Sequence, residues 1–459
     1  MRYLLAIWLG KIVRAVLLFL GRGGTTLPGL MMSRIDPNVL RNLSNNLKHG
    51  SVVVTGTNGK TSTARIISAI LDRHGYVVIS NRSGSNLERG LVASYLEYVD
   101  WQGRANLDVA VLEVDEADLI NILGKVGCRE LVVTNFFRDQ LDRYGELITL
   151  RDIVKRSVSD MLAGSRVVLN ADDPLVNSLA SAVPEGVEVV YFGMKIKGEQ
   201  KLNFAVDVNK CVQCGGDLKY SQVYLSHLGD YLCVSCGFTR PQLDLSLVRM
   251  EPKGILGAEL EVESKKWGRQ QLQTILPGFY NVYNVLAAVM AVDYFEVEID
   301  LIADILQQVK PAFGRFEKIL IAKKELYLML SKNPSGFNEL LRTILVSENP
   351  ISLIFILNDN YADGRDVSWI WDVDFEKLAG RIGWIGLAGI RAWDMMLRIK
   401  YANIDIRRAG VEPDYQKLVE GVIQSEGSEP IFVMATYTGM LEFRAELQKR
   451  GLVTGFWED

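Results

Sequence analysis

The chain has 459 residues, 48% hydrophobic and 23% charged, a composition that gives a globular protein with two or three cores and excludes extensive disorder. Its 51 Lys and Arg stand against 55 Asp and Glu, and the net charge of −4 leaves no cationic excess for a phosphate backbone, which excludes nucleic acid as the main partner. Histidines number three (His49, His74, His227) and cysteines five, so a nucleophile paired with histidine has few positions open to it.

In chain order, residues 1–50 read as an N-terminal helical segment. The run MRYLLAIWLGKIVRAVLLFL is apolar, but Lys11 and Arg14 interrupt it and no small-residue cleavage site follows. It therefore predicts a helix packed on the next domain in place of a signal peptide or a spanning helix, with a helix resting on the inner membrane surface as the alternative. The expected location is the cytoplasm. Short β-rich runs then alternate with helical stretches, at Ser51–Thr55, Val77–Ser80, Val109–Glu113, Leu131–Thr134, Arg166–Asn170 and Val187–Tyr191, a rhythm that predicts a parallel sheet covered by helices. The pattern breaks near Lys210 and resumes with a helix from Leu276 to about Ala291. A second β/α series has runs at Leu326–Leu330, Ile351–Leu357, Ile382–Leu387, Ile404–Ile406 and Ile431–Ala435. The expected architecture is α/β: a central P-loop domain over 51–317 with an insertion at about 210–239, and a Rossmann-like domain over 318–459.

Val52-Val53-Val54-Thr55 runs into Gly56-Thr57-Asn58-Gly59-Lys60-Thr61-Ser62 and then into a helical pattern. Strand, glycine loop, Lys-Thr and helix aim backbone N–H groups and a helix N-terminus at phosphate oxygens, with Lys60 reaching the terminal phosphates and Thr61 ligating Mg²⁺. Only Thr57 and Asn58 separate the two glycines, where the usual loop has four residues.

That short loop resembles the ATP loop of the Mur ligases and folylpolyglutamate synthetases, and further matches follow in order. Glu113, ending the strand in VLEVDEAD, is similar to the family's magnesium-binding glutamate. TNFFRDQLDRYGE (Thr134 to Glu146), NADDP (Asn170 to Pro174), GFYNVYN (Gly278 to Asn284) and GRFE (Gly314 to Glu317) also match. The resemblance implies a Mur ligase-type fold, Asn281 and Asn284 near the adenine, Arg315 on a phosphate, and Mg²⁺ held by Thr61 and Glu113. Such a site activates a carboxylate by phosphoryl transfer, a task of positioning and charge neutralisation. Departures narrow the branch. Gln140 and Tyr280 stand where many relatives have histidine, Lys155 is one residue out of place for a carbamoylated lysine, and MLSKNP (Met329 to Pro334) replaces DYAHNP, which helps receive an incoming amino acid. A ligase whose nucleophile is ammonia needs no such pocket.

Cys211-x-x-Cys214-Gly and Cys233-x-x-Cys236-Gly lie eighteen residues apart, the arrangement of a zinc ribbon with a closed, structural site; two disulfides are the competing reading. Losing one thiolate is expected to loosen the insertion while leaving the nucleotide site formed. His227 reads as an ordinary residue and Cys128 as a small buried hydrophobe. After the strand ISLIFIL, Asp359, Asp363, Asp366 and Asp372 crowd one turn. Taken with the short loop and the cysteines, this string resembles the amidating branch of the Mur ligases, the ligase subunits of lipid II isoglutaminyl synthases. These pair with a GatD-type glutaminase and amidate the α-carboxylate of D-glutamate in lipid-linked peptidoglycan precursors. The resemblance implies ATP, Mg²⁺ and structural Zn²⁺ as cofactors, and makes Asp366 the aspartate of a Cys-His-Asp triad completed across the subunit interface. Two rival readings are an amino-acid-adding Mur or folylpolyglutamate-type ligase and a nucleotide-binding zinc-ribbon scaffold without chemistry.

Overall fold

The hydrophobic runs that open at Ser51 form strands buried on both faces. The computed structural model describes residues 1–20, 26–81, 86–137, 144–196, 208–311, 315–331, 333–424 and 429–453. Strands β1 (Ser51–Thr55), β2 (Val78–Ser80), β3 (Val109–Glu113), β4 (Cys128–Val133), β5 (Arg166–Asn170) and β6 (Glu188–Met194) are parallel in the order β2-β3-β1-β4-β5-β6. Alternation sends Val52 and Val54 into one core and Val53 into the other, as a sheet covered on both faces requires. The order reverses at β1, between β3 and β4, so the crevice where open α/β sheets bind ligands falls at its C-terminal end.

The N-terminal segment forms α1 (Arg2–Phe19), α2 (Leu27–Ile35) and α3 (Val39–Ser44). It packs on the sheet's helical layer, with Ala6, Ile7 and Gly10 of α1 buried; a Cβ on Gly10 would come within 2.5 Å of Met32 Sδ, so the glycine sets how closely α1 and α2 approach. No helix among the described residues is long and apolar enough to cross a membrane.

Between Lys210 and Thr274, where no strands were expected, the structure holds five. β7 (Leu218–Leu225) and β8 (Leu228–Cys233) make a separate antiparallel hairpin, while β9 (Leu245–Pro252), β10 (Ala258–Ser264) and β11 (Gly268–Thr274) extend the large sheet beyond β6. Alternate Ala258, Leu260 and Val262 face the core, and the polar residues between them broke the apolar run. The expected helix from Leu276 begins at Phe279 because Gly278 has a left-handed φ of +93°; it runs to Val292 and is buried nearly throughout.

The second sheet has the order β12-β13-β17-β14-β15-β16, built from β12 (Arg315–Ile321), β13 (Lys324–Leu330), β14 (Ile351–Ile356), β15 (Ile382–Ala388), β16 (Ala409–Val411) and β17 (Ile431–Ala435), and only β12 runs antiparallel to its neighbour. The expected strand at Ile404–Ile406 lies instead in the turn before β16. Asp405 accepts a hydrogen bond from the Arg407 backbone N–H, closing a helical turn over Ile406–Arg408.

Candidate functional site

The loop after β1 leads into α4 (Lys60–His74). Gly56 and Gly59 have φ of +124° and +90°, and a Cβ on Gly59 would sit 2.0 Å from Asn284 Oδ1, so glycine is required on both conformational and steric grounds. The segment after β4 braces the loop. Thr57 N–H donates to the Asn135 carbonyl (2.8 Å), Asn58 N–H to Asn135 Oδ1 (2.9 Å), Thr134 Oγ1 to the Asn58 carbonyl (2.7 Å), and Phe137 N–H to Thr57 Oγ1 (3.1 Å). The NADDP segment braces that brace: Asn170 Nδ2 donates to the Thr134 carbonyl at 2.9 Å and Asp173 Oδ2 accepts from Phe136 N–H at 2.8 Å.

Lys60 Nζ turns back over the loop, donating to the Gly56 carbonyl (2.6 Å) and to Glu116 Oε2 (3.0 Å). Glu116 is buried and was not anticipated; it lies three residues past Glu113 in the same acidic string. Glu113 ends β3 directly beside Val54 of β1 and is itself buried. Asn281 and Asn284, on the Phe279–Val292 helix, are buried and bonded to each other (2.9 Å), and Asn284 reaches the loop at Gly59. Thr61 and Ser62 open α4, on the loop side. Gly314, the Arg315 side chain and the whole RDQLDR string, Gln140 included, lie outside the described residues.

A cavity beside the loop is lined by Asn58, Gly59, Asn135, Phe137, Tyr280, Tyr283 and Asn284 from the first sheet's domain, and by Leu330, Ser331, Asn333, Gly336, Glu339 and Leu340 from the second. The segment replacing DYAHNP is therefore part of its wall. Asn333 caps the helix Pro334–Ile344 by accepting from Gly336 N–H at 2.8 Å. Burial raises the Glu339 carboxyl above the usual range, against the opposing pull of Arg342. Two further wall residues, Leu225 and Leu228, come from the tip of the β7–β8 hairpin. The tip of the cysteine-bearing insertion thus shares this cavity, because the hairpin runs back from the cysteines to the loop.

At the other end of that hairpin the sulfurs of Cys211, Cys214, Cys233 and Cys236 all lie within 4.8 Å of one another. The pairs Cys211–Cys236 and Cys214–Cys233 are 3.6 Å apart, too far for a disulfide and close to the edge of about 3.8 Å that a tetrahedron of Zn–S bonds near 2.3 Å requires. Each knuckle closes with a glycine N–H on the first cysteine's carbonyl, Gly215 on Cys211 (2.8 Å) and Gly237 on Cys233 (3.0 Å), and both glycines have positive φ. Backbone N–H groups of Cys236 and Ser235 lower the Cys233 thiol, while the thiols of Cys211, Cys214 and Cys236 are raised, so a first thiolate forms most readily at Cys233. Cys128, elsewhere, has its thiol pushed up by burial.

The acidic turn after β14 divides into roles. Asp363 is buried and accepts from Thr438 N–H (2.7 Å), and Asp359 faces Arg391 at 3.3 Å. Asp366 instead points outward, accepting Ser368 N–H at 2.8 Å, a bond that holds its carboxyl below the usual range. Beside this turn the helix Ala392–Tyr401 exposes Trp393 (69%), Leu397 (47%) and Tyr401 (65%) at four-residue spacing, and Tyr401 meets Trp371 with ring centroids 5.6 Å apart.

A glycine loop at the switch point of a largely parallel sheet, with a cavity walled by a second α/β domain, is the architecture of a Mur-type ligase. Residues 54–230 match the Mur ligase middle domain and residues 330–440 the MurT ligase C-terminal domain. The fold is shared with MurF from Acinetobacter baumannii (TM-score 0.69, 16% identity, 92% of this chain and 81% of that one) and with a pseudomurein peptide ligase type C from Methanothermus fervidus (TM-score 0.63, 22% identity, 89% and 80%). The subunit MurT of lipid II isoglutaminyl synthase (glutamine-hydrolyzing) from Streptococcus pneumoniae is 34% identical over 97% of this chain and 96% of its own length. Its counterpart from Staphylococcus aureus strain N315 is 32% identical, covering 88% and 89%. The chain belongs to the MurT family.

Proposed function

We propose that the chain is the ligase subunit of a lipid II isoglutaminyl synthase in peptidoglycan synthesis. ATP phosphorylates the α-carboxylate of the stem-peptide D-glutamate, ammonia from a GatD-type glutaminase attacks the acyl carbon, and phosphate leaves to give D-isoglutamine. The observation that carries this reading is the 34% identity along almost the full length of both chains to a subunit of that name. In the site, the backbone of Thr57, Asn58 and Gly59 with Lys60, Thr61 and Ser62 cradles the phosphates, Arg315 adds charge, and Asn281 and Asn284 hold the purine side. Thr61 and Glu113 would hold Mg²⁺, which when bound neutralises charge on the transferred phosphoryl group. The four cysteines would hold a structural Zn²⁺.

Asp366 and the aromatic face of Trp371, Trp393, Leu397 and Tyr401 form the glutaminase dock. A monomer rarely leaves such a surface to solvent, and Trp and Tyr anchor interfaces. The exposed carboxylate would orient a histidine of the partner. The chain works at the cytoplasmic face of the membrane, where α1 supports contact with the bilayer: Leu5, Trp8, Ile12, Val16 and Phe19 form one exposed apolar stripe, and five basic residues but no acidic one precede Asp36. The test is amidation of lipid II by the purified complex with ATP and glutamine. Amidated product with ADP and phosphate is expected; ATP-dependent addition of an amino acid, or nucleotide binding without turnover, would replace this reading with one of its rivals.

A further inference from the structure

The hairpin β7–β8 carries the cysteines at one end and reaches the nucleotide cavity at the other. Its inner end is fixed at several points. Gly229 N–H donates to the Asp172 carbonyl at 2.8 Å, Tyr231 Oη bonds the Ala171 carbonyl at 3.2 Å, and Asn177 Nδ2 donates to Tyr231 Oη at 2.8 Å. At the tip, Ser226 adopts a left-handed φ of +51° and turns His227 inward. His227 is fully buried, packs on Phe137 with ring centroids 5.0 Å apart and lies 3.5 Å from Asp173 Oδ2, and neither ring nitrogen has a hydrogen-bond partner among the described residues. Phe137 is the residue whose N–H bonds Thr57 of the phosphate loop, and Asp173 is the one that holds Phe136. On either side of His227, Leu225 and Leu228 line the cavity.

From this juxtaposition we infer that the hairpin tip is part of the adenine-nucleotide site: Leu225 and Leu228 form an apolar wall, His227 is a positioning residue for the Phe137–Thr57 brace, and metal bound at the cysteines is thereby coupled to nucleotide bound at the loop. The inference rests on the ATP site proposed above. A tip so placed cannot be filled by an arbitrary turn, because its wall residues and its buried imidazole must enter together between Phe137 and the Asp172–Asp173 corner. The cysteines fix the register of the two strands at their far end, and β8 is short: the chain runs from Leu228 in the cavity wall to Cys233 in the metal cluster. Coupling between two sites is reciprocal, so each ligand tightens the other by the same factor, typically between fivefold and 150-fold.

The experiment uses the full zinc-loaded chain in three arms. The rate of zinc release to a chromogenic chelator is measured with and without Mg·ATP; ATP affinity is measured calorimetrically on loaded and stripped protein; and Leu228→Ala and His227→Phe are assayed for both zinc content and ATP affinity. The expected results are slower zinc release with ATP, ATP binding at least about fivefold weaker without zinc, and weakened ATP binding in both variants at unchanged zinc content. If stripping unfolds the chain, the first and third arms decide on folded protein. ATP affinity that is indifferent to zinc and to both substitutions, with a release rate indifferent to ATP, overturns this inference alone. Failure of the wild-type chain to bind ATP at all overturns the proposed function with it.

Discussion

Lys60 and Glu116 form a 3.0 Å ion pair in which both side chains are largely buried, 13% and 7% exposed. Nucleotide phosphate entering the loop must take the lysine from this carboxylate and from the Gly56 carbonyl. Glu116→Gln removes the competing charge, so ATP measured without magnesium should bind several-fold more tightly to the variant. Lys60→Ala should abolish amidation with glutamine and with free ammonia alike, since the carboxylate is activated before any nitrogen arrives. Ammonia-dependent product from Lys60→Ala would remove the lysine from the reaction.

Asp366→Asn should depress glutamine-dependent amidation far more than ammonia-dependent amidation. Asparagine keeps the shape but loses the charge that favours the correct imidazole tautomer, a change worth about 10⁴ in a serine-protease triad. Trp393→Glu should give the same split by a different route, separating the subunits on a sizing column. Equal losses with both nitrogen sources would return Asp366 to the ligase site.

Trp8→Glu with Ile12→Glu should abolish sedimentation of the chain with vesicles containing anionic lipid and leave amidation of a soluble, lipid-free substrate unchanged. Neither residue is in the core, and a thermal melt of the variant checks that losing the Trp8 Nε1 bond to the Trp101 carbonyl (2.8 Å) leaves the fold intact. Unchanged sedimentation would place membrane contact elsewhere.

Arg166 donates to fully buried Glu130 at 2.7 Å and to the carbonyls of Met290 and Ala291 at 2.9 and 3.1 Å, tying β5 to the end of the Phe279–Val292 helix. Burial pushes the Glu130 carboxyl up to about 8 even with this arginine pulling it down. Arg166→Met removes these hydrogen bonds and leaves the buried Glu130 carboxyl and two helix-end carbonyls without their donor, a loss of about 1–3 kcal/mol or more. The sign of the pH dependence follows: a folded-state value raised above the unfolded one gives stability that is present at low pH and lost as pH rises. Wild-type Glu130 keeps its proton up to about 8 and the variant keeps it higher still, so the two lose stability in parallel below that value and the variant's deficit should widen only above it, as read by urea unfolding at about pH 6 and about pH 9.5.

Local chemistry was legible in the sequence, and long-range packing was not. The loop from Gly56 to Ser62, the cysteine knuckles and the acidic turn each carry their pattern within a few residues. Which aspartate of that turn faces outward depends on Thr438, more than seventy residues away, and nothing local separates Asp363 from Asp366. Glu116 was present in the same string as Glu113, but its pairing with Lys60 depends on β3 lying next to β1. Strand β10 shows itself only as alternation at Ala258, Leu260 and Val262, with no continuous apolar run to mark it. The reach of the hairpin tip into the cavity had no sequence signal beyond Leu225 and Leu228 flanking a histidine.

The cavity wall drawn from both sheets has a consequence for how the molecule melts. Asn58, Gly59 and Asn284 stand on one side and Ser331, Asn333 and Glu339 on the other, so a bound nucleotide is a shared ligand of two lobes that otherwise have separate cores. A ligand that binds only the assembled pair stabilises both lobes by mass action. In a calorimeter the empty chain should lose its lobes in two endotherms, and saturating Mg·ATP should draw them together into a single later one.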